Sequence, residues 1–281
     1  MVFYSLIRTF APEFKEPELM RLFFSLILSL MVALTTVAQK PLHVVMLGDS
    51  NTWIGGDDCD KPLGWNKWFK DALQPTTCKS YARSGATWTN TPQTHRDTKE
   101  NIEILGNNNV IYNQICRLQE AVEGGDQAIP QLILIMAGTN DAWFQKQRPK
   151  ALAMCACQAF NTDKGTMTDR PVNDVLTLAE SVRFGCELLR AAFPEAQIVL
   201  LTPLQSVAAG TENITMAGDI IECCARQLNI NVIRLDKDGF IDAAKEKMKH
   251  HLTTDGTHTS ELGARQIGSF VAQQISALQR P

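Results

Sequence analysis

Four short polar clusters hold residue types that could together perform acyl transfer: Gly48-Asp49-Ser50-Asn51, Arg83-Ser84-Gly85-Ala86-Thr87, Ala137-Gly138-Thr139-Asn140-Asp141 and Asp255-Gly256-Thr257-His258. Cleaving an ester through a serine requires a nucleophile, a base, a group that orients the base, and donors for the oxyanion. Ser50 follows an apolar run and opens a turn, so its hydroxyl can be exposed and its N–H left free. Of the five histidines, His43 sits at the start of a strand, His95 lies in a polar Thr-rich loop, and His250 and His251 end a Lys-rich helix and read as solvated surface. His258 alone lies in a glycine-containing turn with a carboxylate three residues earlier. That spacing lets Asp255 bond one ring nitrogen and leaves the other to face Ser50. Taken singly, each cluster also has a plain structural reading: D-x-x-H as a helix cap, Asn140 as a turn residue, Gly85 as a turn glycine. Asp49 reads as a cap or brace of its turn rather than as an additional acid.

The clusters gain force from the elements that position them. Leu42–Leu47, Thr77–Ala82, Leu132–Met136, Ile198–Leu201 and Val232–Leu235 read as strands. Leu63–Leu73, Val110–Val122 and Glu212–Leu228 read as helices. Asp174 is expected to cap a helix bearing Val175, Leu178, Val182, Cys186 and Leu189, and Ser260 to cap the last helix. Continuous apolar strands such as LILIM at 132–136 are typical of a parallel sheet covered on both faces. The alternation predicts an α/β fold, a three-layer α/β/α sandwich on a parallel sheet. In such a sheet reactive groups gather at the C-terminal strand ends, where three of the clusters fall. The stretch from 141 to 173 has no clear periodicity and is expected to overhang the pocket as a lid.

Composition excludes several classes. The 281 residues carry a formal net charge of −3, with 44% hydrophobic and 20% charged residues, so the chain is globular and lacks the basic footprint of a nucleic-acid binder. No Walker-type loop, G-x-G-x-x-G, H-E-x-x-H or G-x-S-x-G elbow is present, and no cofactor is implied. Residues 1–38 read as a signal peptide. Leu22–Leu34 is a 13-residue apolar run after Arg21, short for a membrane span, and Thr36-Val37-Ala38 offers a cleavage site. The mixed charges before it make Met20 the expected start of translation; an uncleaved anchor is the competing reading. The exported chain would be one domain, 39–281, without a membrane span. Its eight cysteines are then free to pair, and Cys59 with Cys78 is the favoured disulfide. Zinc is disfavoured, since no cysteine pair stands at ligand spacing with a histidine.

The four clusters together resemble the SGNH hydrolases, the GDSL family of esterases and lipases. Ser50, Gly85, Asn140 and His258 match the family's four marker residues in order, and Asp255 matches the acid of its D-x-x-H motif. GTND at 138–141 matches G-x-N-D, whereas GDSN departs from GDSL at its last position. The resemblance spans Leu42 to about Ile275. It implies a flavodoxin-like, mostly parallel five-stranded sheet and a catalytic triad of Ser50, His258 and Asp255. The implied oxyanion hole comprises the N–H groups of Ser50 and Gly85 with the Asn140 side chain.

Trp53, Trp88 and Trp143 each fall three residues after a marker. They either pack the bases of those loops or form an aromatic rim that stacks on a sugar or holds an acyl chain. The expected substrate is a small-molecule or glycan ester, foremost a short-acyl ester on a carbohydrate. Lipid or thioester cleavage is the alternative. A silent glycan-binding protein, or a metal site of Asp49, Asn51, Asn140 and His258, would be the readings from other classes.

Overall fold

Continuous apolar strands need cover on both faces, and a parallel five-stranded sheet provides the frame for it. In the computed structural model, which describes residues 41–161, 165–238 and 240–278, the strands are β1 (His43–Gly48), β2 (Thr77–Ser80), β3 (Leu132–Met136), β4 (Gln197–Leu201) and β5 (Asn231–Ile233). They lie in the order β2-β1-β3-β4-β5, all parallel, with Val44 opposite Leu132 and Leu132 opposite Gln197. The strand alternation divides the core in two. Val45, Leu47, Ile133, Ile135, Ile198 and Leu200 face one layer; Val44, Met46, Leu132, Leu134, Val199 and Leu201 face the other.

The first layer contains α3 (Ile111–Gly124), α6 (Leu178–Ala192) and α7 (Thr211–Leu228). The second contains α2 (Trp65–Leu73) and α10 (Glu261–Leu278). Here α10 crosses α2 closely because Gly268 has no side chain: a Cβ there would lie 2.3 Å from the Trp65 carbonyl oxygen. The remaining helices are short: α1 (Ser50–Trp53), α4 (Thr139–Trp143), α5 (Ala156–Ala159), α8 (Leu235–Asp238) and α9 (Ala243–Met248).

The chain divides into Met1–Pro41 and Leu42–Pro281. The expected signal peptide at 1–38, including Met20, lies outside the described residues. No helix among the described residues is long and apolar enough to cross a membrane.

Two expectations need correction. The cap of α6 is Thr177, not Asp174. Thr177 Oγ1 accepts from the Glu180 N–H while Glu180 accepts from the Thr177 N–H, a reciprocal box, and Asp174 belongs to a preceding 3₁₀ turn. Cys59 and Cys78 are buried free thiols; their mutual hydrogen bond, reinforced by burial, pushes the Cys78 thiol up. The disulfide instead joins Cys155 to Cys157. The described part of 141–173 consists mostly of turns around α4 and α5 and a 3₁₀ turn at Met167–Asp169. Ala156 and Ala159 enter the first core, Leu178 N–H donates to Ala151 O at 2.8 Å, and Arg183 donates to Ala159 O at 2.7 Å.

Candidate active site

Strand order reverses between β1 and β3, since the chain moves outward to β2 from one and onward to β4 from the other. A crevice at such a switch point is the usual ligand position in an open α/β sheet. The loops leaving β1 and β3 meet here, and glycine permits their approach: a Cβ on Gly48 would stand 2.3 Å from Met136 O. The Asp49 N–H donates to that same oxygen at 3.2 Å. Gln114 of α3 accepts from the Gly48 N–H and donates to the Gly48 carbonyl, both at 2.8 Å. Asp49 then caps α1, accepting from the Asn51 N–H at 3.1 Å, and this sets Ser50 as the first helical residue.

Ser50 Oγ lies 2.9 Å from His258 Nε2, and His258 Nδ1 lies 2.7 Å from Asp255 Oδ2. The other Asp255 oxygen accepts from the N–H groups of Thr257 and His258, at 2.9 and 2.8 Å, so the carboxylate holds both the ring and its own turn. Burial pushes Asp255 up, but the hydrogen bonds from the His258 ring and from these N–H groups outweigh it and hold the acid below the usual carboxylate range. Asp49 behaves oppositely. Its complete burial pushes it up to about 6, against the lowering influence of Thr139, the Asn51 N–H and His258. A serine, an imidazole and an ionised carboxylate aligned in this order can move a proton off the hydroxyl and return it to a leaving group.

The other two markers converge on the same edge. Gly85 adopts φ +75°, and a Cβ there would meet Ile104 Cα at 2.9 Å. Asn140 donates through Nδ2 to Ala86 O at 2.8 Å, which leaves its second amide hydrogen uncommitted. Among the described residues, the N–H groups of Ser50 and Gly85 have no protein acceptor.

The tryptophans separate. Trp88 is 2% exposed and packs in the core against Ile115 and Gly185, so it is not part of a rim; the expectation fails because the chain turns inward after Ala86. Trp53 is half-buried and lines a cavity of about 550 Å³ with Ile54, Lys61 and Leu63. Trp143 is exposed and stacks on Phe144, with ring centroids 5.2 Å apart. Of the alternative metal set, Asp49 caps α1, His258 is bonded to Ser50 and Asp255, and Asn140 donates to Ala86 O. No group of three or more His, Cys, Asp or Glu side chains among the described residues could hold a metal ion.

Two supporting residues escaped sequence reasoning. Gln114 offered no motif. Glu246 sat within a Lys-rich helix read as solvated, yet it is 3% exposed and accepts from the N–H groups of His251, Leu252 and Thr253 and from the Thr253 hydroxyl, anchoring the approach to the histidine turn.

Residues 46–266 match the GDSL-like lipase/acylhydrolase family. The chain belongs to that family. It is therefore a GDSL hydrolase, an enzyme of the esterase and lipase class. No protein of curated function matches the sequence. Among solved structures, a protein from Lactobacillus plantarum is similar in fold with a TM-score of 0.56 at 14% identity, covering 86% of this chain and 100% of its own. An acetyl xylan esterase gives 0.50 at 17% identity, covering 84% and 98%. A member of the lipolytic G-D-S-L family from Veillonella parvula gives 0.50 at 13%, also covering 84% and 98%. At these identities the likeness establishes the α/β fold and its five-stranded parallel sheet.

Proposed function

We propose that this GDSL hydrolase is an exported serine esterase that removes a short acyl group, foremost acetyl, from a carbohydrate. The observation that carries the reading is the chain of contacts from Ser50 Oγ through His258 to Asp255, at 2.9 and 2.7 Å. Ser50 attacks the ester carbonyl as His258 Nε2 takes its proton. The carbonyl becomes an oxyanion received by the N–H groups of Ser50 and Gly85 and the free amide hydrogen of Asn140. Collapse expels the alcohol, which takes the proton from His258. Water, deprotonated by the same ring, then releases the acid and restores Ser50. Asp255 keeps the imidazole in the required tautomer throughout.

Support for a sugar substrate comes from the half-buried Trp53 at the end of the nucleophile's helix and the exposed Trp143, which stacks on Phe144, near Asn140. Flat aromatic faces suit pyranose rings. An acetyl xylan esterase of similar fold and the apolar run at 22–34 agree with it. The test is hydrolysis of p-nitrophenyl acetate and octanoate by residues 39–281, beside Ser50→Ala and with EDTA present. Acetate cleaved well, octanoate poorly and an inert variant are expected. A preference for octanoate would favour the lipase reading, and a folded protein inert on both esters would favour glycan binding without catalysis.

A further inference from the structure

The oxyanion hole proposed above depends on loops holding fixed distances, and two of its three donors come from Gly85 after β2 and from Asn140 after β3. The connection between them runs through the residue beside Asn140. Asp141 is completely buried and its carboxylate straddles two consecutive amides: Oδ2 accepts from the Trp88 N–H at 3.0 Å and Oδ1 from the Thr89 N–H at 2.9 Å. Arg148 grips the same segment by its oxygens. Nη1 donates to Thr87 Oγ1 at 2.9 Å and to Thr89 O at 2.8 Å. Nη2 donates to Leu105 O at 2.9 Å, next to the Ile104 that backs Gly85. Segment 87–89 is thus held on its N–H groups by an anion and on its oxygens by a cation. Asn140 adds a third tie at Ala86 O.

We infer that Asp141 and Arg148 are positioning residues that fix the Gly85 N–H relative to the Asn140 amide, and that the segment after β3 therefore serves the site as a strut. The inference rests on the esterase reading above for its catalytic consequence, but the clamp itself is a statement about geometry. Charge and shape both matter. Only a carboxylate presents two acceptor oxygens to adjacent N–H groups; an asparagine would turn its NH₂ toward one of them. Only a guanidinium reaches three oxygens in a planar fork, which lysine cannot imitate. Burial lowers the Arg148 pKa and the Asp141 charge opposes that effect, as expected for a pair held on opposite sides of one segment. Neither residue touches Ser50, His258 or Asp255 among the contacts described, so their influence on the reaction runs through the loop.

The test compares Asp141→Asn, Arg148→Gln and Arg148→Lys with wild type by three measurements. These are kcat and KM on p-nitrophenyl acetate, normalised by fluorophosphonate titration of Ser50, and the ¹H–¹⁵N resonance of the Gly85 amide. Asp141→Asn and Arg148→Gln are expected to lower kcat by about 10- to 100-fold, as a small misplacement of a catalytic donor does, with KM within about twofold. The Gly85 resonance should move in both, and Arg148→Lys should fall between Arg148→Gln and wild type. An unmoved Gly85 resonance in folded variants overturns the clamp, whatever the rates. A moved resonance with unchanged kcat, in an enzyme that Ser50→Ala inactivates, overturns its role in positioning the oxyanion hole. If wild type cleaves no ester, or Ser50→Ala remains as active, the esterase reading has failed and the Gly85 resonance alone decides the clamp. Should Asp141→Asn not fold, the two Arg148 variants carry the same comparison.

Discussion

Ser50 and His258 meet at 2.9 Å but come from very different surroundings. Ser50, Asn140 and the Gly85 loop sit on strand ends, where Ser50 is 6% and Asn140 5% exposed, and main-chain bonds such as Asp49 N–H to Met136 O continue the sheet beneath them. His258 lies on a turn between α9 and α10, with no strand below it. Its ring is half-buried, and the Asp255 carboxylate is 53% exposed. Local main-chain bonds, such as Thr254 N–H to His258 O and Val207 N–H to Gly256 O at 2.8 Å, hold that turn together with side chains: Glu246 beneath it, the Ser206 hydroxyl on Thr257, and the Thr259 hydroxyl on Leu63 O. The division matches the chemistry proposed for each half. Oxyanion donors are useful in proportion to their prior fixation and exclusion of water. A base that must pass protons to an alcohol and accept them from water needs an opening to solvent.

The comparison is broken most severely by removing one member of each half. Ser50→Ala and Asp255→Asn are each expected to lower kcat by roughly 10⁴-fold or more, and the double variant should be little worse than Ser50→Ala alone, since members of one relay are not additive. Multiplying losses would mean that the two halves act separately. Within the buried half, Asn140→Ala should lower kcat by about 10²- to 10³-fold, the usual worth of one oxyanion donor. A rate within severalfold of wild type would remove Asn140 from that role.

Two carboxyls then separate the halves by stability. Asp49 titrates at about 6 in the fold and at its ordinary 3.8 when unfolded, so the native state binds the extra proton between those values and loses stability as pH rises through them. Asp49→Asn keeps an acceptor for the Asn51 N–H and should gain up to about 3 kcal/mol above pH 6 and nothing below about pH 4, at 1.36 kcal/mol per unit. Urea midpoints at pH 4 and 8 would show it, and a gain independent of pH would rule out burial as the cause. Glu246→Gln should cost about 1–3 kcal/mol through unpaired N–H groups, with lower kcat from the loosened turn. Unchanged kcat beside a lowered midpoint would make Glu246 a structural residue only.

What the sequence disclosed follows the same division. The strands were readable because burial on both faces leaves continuous apolar runs, and the markers because a strand end followed by Gly-Asp-Ser or Gly-Thr-Asn is a local pattern. The α6 cap was readable too: Thr177 with Glu180 three residues on is the stronger signal, and Asp174 displaced it only by standing nearer to Val175. Trp88 could not be placed locally, because its direction depends on a gap left by Gly185 almost a hundred residues later. Gln114 and Glu246 bind main-chain groups, which any sequence would offer equally. The Cys155–Cys157 bond joins residues two positions apart whose Cα atoms lie 5.5 Å from each other, whereas Cys59 and Cys78 are brought together only by the fold.

The separation of 208 positions between Ser50 and His258 also imposes an order on the birth of the molecule. The strand before Ser50 is an inner strand of the sheet and is synthesised before the histidine turn and α10, which packs on α2. A chain cut between them would hold Ser50 without its proposed base. Ser50 and His258 thus share a site only through the packing of α10 on α2, and the two parts of the proposed reaction are joined by the fold rather than by any one stretch of sequence.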